Sequence, residues 1–264
     1  IPLIAPAATA ANVTVDEKTG ETMDYIFRVC FIDPFQGTLM AQFAAENLGA
    51  TTAAIYSDTS NDYSKGLARY FKETFIAKGG TIVAEEGFVT HDRDFTATLT
   101  KIKNANPEFI YVPGYYEEVA PLIKQAREIK LNVPMGGGDG WDSPDMVSVA
   151  GGEALNNTFF TNHYSSQDKD ENIVAFVEAF KAKYNKEPDA FAALGYDAVQ
   201  LLVQAIKDAD STDPVAIAEA LEAIKDFQGV TGKMTIDEQH NPIKAGVIIE
   251  FKDGVQTVNT RIQP

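Results

Sequence analysis

Apolar positions along the chain fall into short runs that alternate with helical stripes. Residues 52–56, 81–88 and 109–112 are runs of aliphatic, aromatic and β-branched residues and predict strands. Between them, 65–77 and 95–104 carry apolar residues at helical spacing, and Gly79-Gly80 closes the first of these helices. Val119, Leu122, Ile123, Ala126 and Ile129 form one stripe of a further helix, started near Glu117 and Glu118 and ended by Asn132 and Pro134. A strand follows, and Gly136–Gly138 are predicted to let the backbone turn freely before Asp139. This alternation predicts an α/β fold with a parallel, doubly wound sheet and right-handed crossovers.

The flanks read in the same way. Residues 2–5 and 25–31 predict strands, joined by a small, polar loop at 7–14 and a charged surface loop at 15–22. Asp33-Pro34 is expected to break the chain before a helix at 38–48. Helices are predicted at 145–150, 171–184, 190–208 and 214–224, the last opened by Asp213 and Pro214. Strands are predicted at 158–161, 231–236 and 245–252, with Asp253-Gly254 turning into a final strand at 255–262. Ile1 opens directly on a strand pattern with no start methionine, so the sequence reads as part of a longer one.

Composition narrows the function. With 264 residues, 45% of them hydrophobic, the chain has material for one large domain or two lobes. A net charge of −16 argues against phosphate-backbone binding, which needs clustered Lys and Arg, and against adhesion to anionic lipid. Nothing here points to nucleic acid. The single cysteine, Cys30, lies in the apolar run YIFRVCFI and reads as a buried small hydrophobe. It permits no internal disulfide, and the three histidines lack metal-ligand spacing. No dinucleotide fingerprint, phosphate-binding loop or nucleophile elbow is present, so no cofactor, no metal and no catalytic residue is expected. Asp139 and Asp142 have the spacing of paired carboxylates, but the preferred reading gives one to a ligand and the other to capping the next helix.

Two predicted strand ends bring Tyr115, Asp139 and Trp141 toward one sheet edge, where open α/β sheets bind ligands. Tyr63 and Phe191 stand at other loop–strand junctions or lobe edges. Aromatic walls beside one carboxylate suit a small ligand that carries an ammonium group.

In order and spacing, IPLIAPAAT, YIFRVCFIDPFQG, IYSDTSNDYSKGLA, PGYYEE, GGGDGW and YDAVQLLVQAI resemble the branched-chain amino-acid (Leu/Ile/Val-type) binding proteins of ABC importers. The resemblance implies the two-lobed type I periplasmic-binding-protein fold, with a ligand cleft between the lobes. It implies lobe one at 1–32 and 164–242, and lobe two at 33–163 and 243–264. Three chain crossings, near Asp33, His163 and Asn241–Lys244, would act as hinges. Family members carry further βα units before IPLIAPAAT, including a serine loop that helps hold the ligand carboxylate. By position, Ala7 would offer its carbonyl to the ligand ammonium, and Thr9 its N–H and hydroxyl to the zwitterion. Tyr63, Tyr115 and Phe191 match aromatic positions of the site. Asp139 matches an acidic position that pairs with the ammonium, and Trp141 is added here from its proximity. The resemblance further implies a monomeric, non-enzymatic receptor that delivers an aliphatic amino acid to ABC permease subunits. It would sit in the periplasm or lipid-anchored at the outer face of the cell membrane. The competing expectation is a sensor for an amide, a urea-like solute or an aromatic acid.

Overall fold

Strand β1 (Leu3–Ala5) pairs in parallel with β2 (Ile26–Arg28), which sets Ala5 opposite Arg28. From Asp33 the expected alternation begins. Helix α1 (Asp33–Gln42) runs into one wider turn (Phe43–Asn47), followed by β3 (Thr52–Asp58), α2 (Asp62–Ala77), β4 (Thr81–Phe88) and α3 (Thr96–Asn104). Then come β5 (Phe109–Tyr111), α4 (Tyr116–Glu128), β6 (Met135–Gly137), α5 (Asp145–Ala150) and β7 (Thr158–Asn162). The chain continues through α6 (Glu171–Tyr184), α7 (Ala190–Ala209), α8 (Pro214–Glu222), β8 (Phe227–Gly229), β9 (Gly232–Ile236) and β10 (Pro242–Ile243). It ends with β11 (Gly246–Lys252) and β12 (Val255–Ile262). These elements come from a computed structural model that describes residues 1–262.

The chain divides into two compact units. Unit 2 holds Asp33–Asn162 and Ile248–Thr260. Its sheet has seven strands in the order β12-β11-β7-β6-β5-β3-β4, and β4, β3, β5, β6 and β7 are all parallel. Ile55, Phe109, Ile110 and Tyr111 are fully buried, as expected for strands covered on both faces by helices. Phe71 of α2 stacks on Tyr111 at 4.2 Å, joining helix to sheet. The β11–β12 turn is Asp253-Gly254, both with positive φ (51° and 81°), the geometry a two-residue hairpin turn requires.

Unit 1 holds Ile1–Ile32, His163–Val247 and the residues from Arg261. Its main core joins Phe27, Val29 and Cys30 to Leu194, Ala198, Leu201 and Ala205 of α7 and to Ile217 and Leu221 of α8. Asp213 caps α8 by accepting from the N–H groups of Val215 and Ala216, with Pro214 next, as the sequence pattern predicts. β8, β9 and β10 form a small antiparallel sheet. Among the described residues, no helix is long and apolar enough to cross a membrane.

Two expectations are corrected. Asp33-Pro34 does not break the chain ahead of a later helix; α1 starts at Asp33 itself. Proline costs no hydrogen bond in a first turn, so the pair works as a helix start. Gly136 and Gly137 are strand, not loose loop, and none of Gly136–Gly138 has a positive φ. Their lack of a side chain serves close approach, as the site shows below.

Lys244 follows β10 and is buried in unit 1. Its ammonium donates to the Val29 carbonyl at 3.1 Å and to the Thr231 hydroxyl. Thr231 in turn donates through its N–H and hydroxyl to the buried Asp197 carboxylate, at 2.8 and 2.7 Å. Burial lowers the Lys244 pKa to about 8, against the upward pull of Asp197 and Cys30. Below that pH both folded and unfolded chains hold the proton. Between it and the ordinary lysine value only the unfolded chain does, so stability rises with pH there. Relative to Lys244→Met, the native chain is expected to gain roughly 2 kcal/mol between pH 8 and 10. Urea midpoints across that range test this, and parallel curves for the two proteins would refute it.

Candidate functional site

In unit 2 the sheet delivers three of the sequence-predicted residues to one place. β6 leads into Gly138, and Asp139–Trp141 form a single 3-10 turn. Asp139 is 3% exposed. Its Oδ1 accepts from the Tyr63 hydroxyl at 2.8 Å and from Gln36 Nε2 at 3.1 Å. Its own N–H donates to Gln36 Oε1 at 3.1 Å. A carboxylate at this depth is tolerable only with such partners.

Tyr63 sits in the first turn of α2, whose start is fixed by the Asn61 side chain accepting from the Ser64 N–H. The Tyr63 oxygen also accepts from the Gly140 N–H at 2.9 Å. Burial, then the Asp139 charge, push the Tyr63 phenol well above its ordinary pKa, so it stays a donor. Tyr115, directly before α4, stacks on Tyr63 with ring centroids 5.0 Å apart and is 42% exposed. The glycines make this close packing possible. A Cβ on Gly138 would meet the Tyr63 hydroxyl at 2.5 Å, and one on Gly140 would meet the Gly114 carbonyl at 2.9 Å and the Tyr115 ring at 3.0 Å. The result is a recessed carboxylate beside two stacked phenols, which can pair a cation and shelter an apolar body.

Trp141 lies elsewhere than expected. It is fully buried, its indole N–H donates to the Val112 carbonyl at 3.1 Å, and its ring lies 6.4 Å from that of Phe160. It supports the Asp139 turn from within and presents no wall to a ligand, because the buried indole needs an acceptor and the chain just past β5 supplies it. Asp142 is likewise no helix cap. Its two oxygens accept from Asn162 and Gln256, at 3.1 and 2.9 Å. Ser143 serves the start of α5 instead, accepting from the Asp145 N–H at 3.1 Å.

In unit 1 the loop after β1 holds Ala7, half-buried against the main core, and Thr9, buried. Its shape is set by Arg28, fully buried on β2. Arg28 Nη1 donates to the carbonyls of Ala8 and Ala10, both at 2.8 Å, and Nη2 to the Ala11 carbonyl at 3.3 Å and the Thr14 hydroxyl at 3.1 Å. Phe191 stands half-buried in the first turn of α7, which Asp189 caps. Sequence reasoning passed over Arg28 and Gln36. The signal for Arg28 was there: it is the one charged residue in YIFRVCFI.

His91, Glu117 and Glu118 also come together, with possible ligand atoms within 4.8 Å. Arg93 Nη1 stands 3.7 Å from the Glu118 carboxylate, and the His91 N–H donates to it at 2.9 Å. The buried carboxylate is thus already compensated by these neighbours.

A family model described as periplasmic binding protein matches residues 1–256. The chain is 31% identical to the leucine-, isoleucine-, valine-, threonine-, and alanine-binding protein of Pseudomonas aeruginosa over 90% of its own length. It spans 61% of that relative's length. Among solved structures it is similar to a leucine binding protein, LivK, from Thermotoga maritima, at 39% identity and a TM-score of 0.92, covering 100% of this chain and 73% of that one. It is also similar to LivJ of Streptococcus pneumoniae, a branched-chain amino acid transporter substrate binding protein in complex with isoleucine. There the identity is 37% and the TM-score 0.88, covering 99% of this chain and 72% of the other.

Proposed function

The chain belongs to the periplasmic binding protein family, and from that premise we propose that it is an extracytoplasmic receptor for a branched-chain or other aliphatic amino acid, serving an ABC permease. The observation that carries this reading is the recessed Asp139 carboxylate, held by Tyr63 and Gln36 under the Tyr63–Tyr115 stack. A deep carboxylate beside aromatic rings selects a ligand with a cationic head and an apolar body. The amino acids named for the relatives, and the isoleucine bound in the LivJ structure, have that chemistry. In this reading Asp139 takes the ligand ammonium, and Tyr115 and Phe191 shield the side chain. Ala7 and Thr9, on the loop that Arg28 shapes, hold the backbone of the zwitterion. The receptor works as a monomer and performs no turnover. Its location, periplasmic or lipid-anchored, belongs to the same proposal, as do the two units acting as lobes that move at the chain crossings. An amide, urea-like or aromatic-acid ligand fits less well, since each lacks a cation for Asp139.

Calorimetric titration with isoleucine, leucine, valine, alanine, leucinamide and the keto acid of leucine tests the proposal. Saturable binding of the free amino acids is expected, weaker for leucinamide and weakest for the keto acid, which has no ammonium. Equal binding of leucine and its keto acid, or no binding of any amino acid, would overturn it.

Tyr63→Phe probes the donor to Asp139. It removes a charge-assisted hydrogen bond and leaves the Gly140 N–H without its acceptor. The dissociation constant for leucine is expected to rise about tenfold or more, with leucine still preferred over its keto acid. Unaltered affinity would remove Tyr63 from the site.

A further inference from the structure

Gln36 is fully buried in α1, close behind Asp33, where the chain enters unit 2. Its hydrogen bonds serve one arrangement. Nε2 donates to Asp139 Oδ1, while Oε1 accepts from the Asp139 N–H at 3.1 Å and from the Thr161 hydroxyl at 2.8 Å. The Asp139 N–H can only donate and its carboxylate can only accept, so these two fix which end of the amide faces which way, and the Thr161 hydroxyl adds a second donor to Oε1. The amide therefore grips Asp139 by backbone and side chain together, and its oxygen is held a second time by Thr161 on β7. Thr161 is the last residue but one before the chain leaves unit 2 again.

We infer that Gln36 is a positioning residue for ligand recognition. It sets the direction of the Asp139 carboxylate and ties that carboxylate to the residues beside two chain crossings. This inference rests on the amino-acid reading of the site. Gln36 supplies a donor that holds Asp139 as an acceptor, so the carboxylate meets the ligand ammonium already aimed. Any pull that the ammonium exerts on Asp139 is passed through one amide to α1 and to the end of β7.

Gln36→Glu is the diagnostic substitution, because it keeps the shape and replaces the donating amide with a titratable oxygen. The introduced carboxyl would lie where the amide nitrogen now stands, 3.1 Å from Asp139 Oδ1. That is too close for both groups to ionise, so the folded pKa of the new group rises above the ordinary glutamate value. Protonated, it still donates to Asp139 and still accepts from the Asp139 N–H and Thr161. Ionised, it repels Asp139. The other charged and titratable groups around Asp139 are Asp33 and the phenols of Tyr63, Tyr111 and Tyr115. All three phenols are raised above their ordinary values, first by burial, and stay neutral. For Asp58, which also acts on Tyr115, burial pulls the pKa up, but the hydrogen bonds from Ser60, Thr90 and Asn61 together outweigh it and lower the value, so it stays ionised. These groups, Asp33 included, are common to both proteins, so the difference between the two profiles belongs to position 36.

Leucine affinity is measured by calorimetry from pH 5.5 to 8.5 for the native chain and Gln36→Glu, with melting temperatures on the same samples. The native chain is expected to bind with level affinity. Gln36→Glu is expected to bind nearly as well at the acid end and to lose about tenfold or more as the pH rises. Its melting temperature should fall over the same direction of pH, since only the folded state must keep the extra proton. Level affinity in Gln36→Glu, with native binding intact, refutes the positioning role. If the native chain binds no amino acid, the functional reading falls, and the melting curves still decide whether position 36 and Asp139 are coupled. Should Gln36→Glu not fold, Thr161→Val takes its place. It removes one of the two donors to Oε1 and so loosens the amide while Asp139 still holds both its ends, and a loss of leucine affinity of about threefold or more with little change in melting temperature is expected. Unchanged affinity in that variant also counts against the role.

Discussion

Asp139→Asn is expected to weaken leucine binding by on the order of a hundredfold to a thousandfold, the cost of leaving a buried cation without its partner. The substitution keeps the shape of the side chain. The amide oxygen, placed where Oδ1 now stands, still accepts from both Tyr63 and Gln36, so the NH2 takes the place of Oδ2 and meets the ligand ammonium, donor against donor. The free protein should lose little, because a neutral group is easier to bury than a charged one. Affinity and folding stability therefore separate: the dissociation constant moves and the urea midpoint barely does. Selectivity moves as well. The keto acid of leucine, repelled by a carboxylate, should bind relatively better to the variant. A dissociation constant within twofold of the native one would remove Asp139 from the ligand.

Arg28→Ala is the counterpart in unit 1, where the expected loss is stability. The guanidinium fills the inside of the loop that carries Ala7 and Thr9 and satisfies three carbonyls and one hydroxyl. Truncation leaves a hole inside the loop, with the buried Thr14 hydroxyl and three part-buried carbonyls stripped of their shared donor. A destabilisation on the order of 4 kcal/mol is expected, read as a lower urea midpoint at unchanged slope. Arg28→Lys restores the charge without the planar fork, so it should recover only part of that loss. It is also the variant on which ligand affinity can be read. If Arg28→Lys folds fully and binds leucine as the native chain does, the loop does not depend on the fork.

Periodicity made most of the architecture legible. The apolar run at 81–88 is β4 to the residue, and 171–184 is α6, because burial on a sheet or along one helix face imposes its own spacing. Local chemistry misled where two uses compete. Asp33-Pro34 serves a turn or a helix start, and only the packing of α1 in the fold decides. A glycine triplet serves mobility or close approach. Here Trp141, Tyr63 and Met40 crowd the space a side chain would fill. β8 was missed because three residues, Phe227–Gly229, carry too little pattern to register.

The candidate site was half legible. Tyr63, Tyr115 and Asp139 come together because strand ends of a parallel sheet share an edge, a rule that sequence order already implies. Gln36 was not legible as a site residue, whereas Arg28 stood out as the lone charge in an apolar run without its task being readable. Their role is to satisfy backbone groups of other segments, some far off in sequence: Asp139 lies 103 residues from Gln36. Nothing local marks Gln36 for that task, and a lone charge such as Arg28 signals burial without naming its partners. Trp141 shows the opposite error, since nearness along the chain to Asp139 suggested a ligand wall where the fold has a buried support.

The buried indole equips the molecule with a built-in optical probe. Trp141 is the only tryptophan in the chain, it is shut off from solvent, it belongs to the same turn as the carboxylate, and its N–H is bonded to the Val112 carbonyl just past β5. Its emission should be blue-shifted and insensitive to iodide quenching in the empty protein. Any strain that loading places on the Asp139 turn would change that emission without a dye, a tag or a second fluorophore of its kind to confuse the signal.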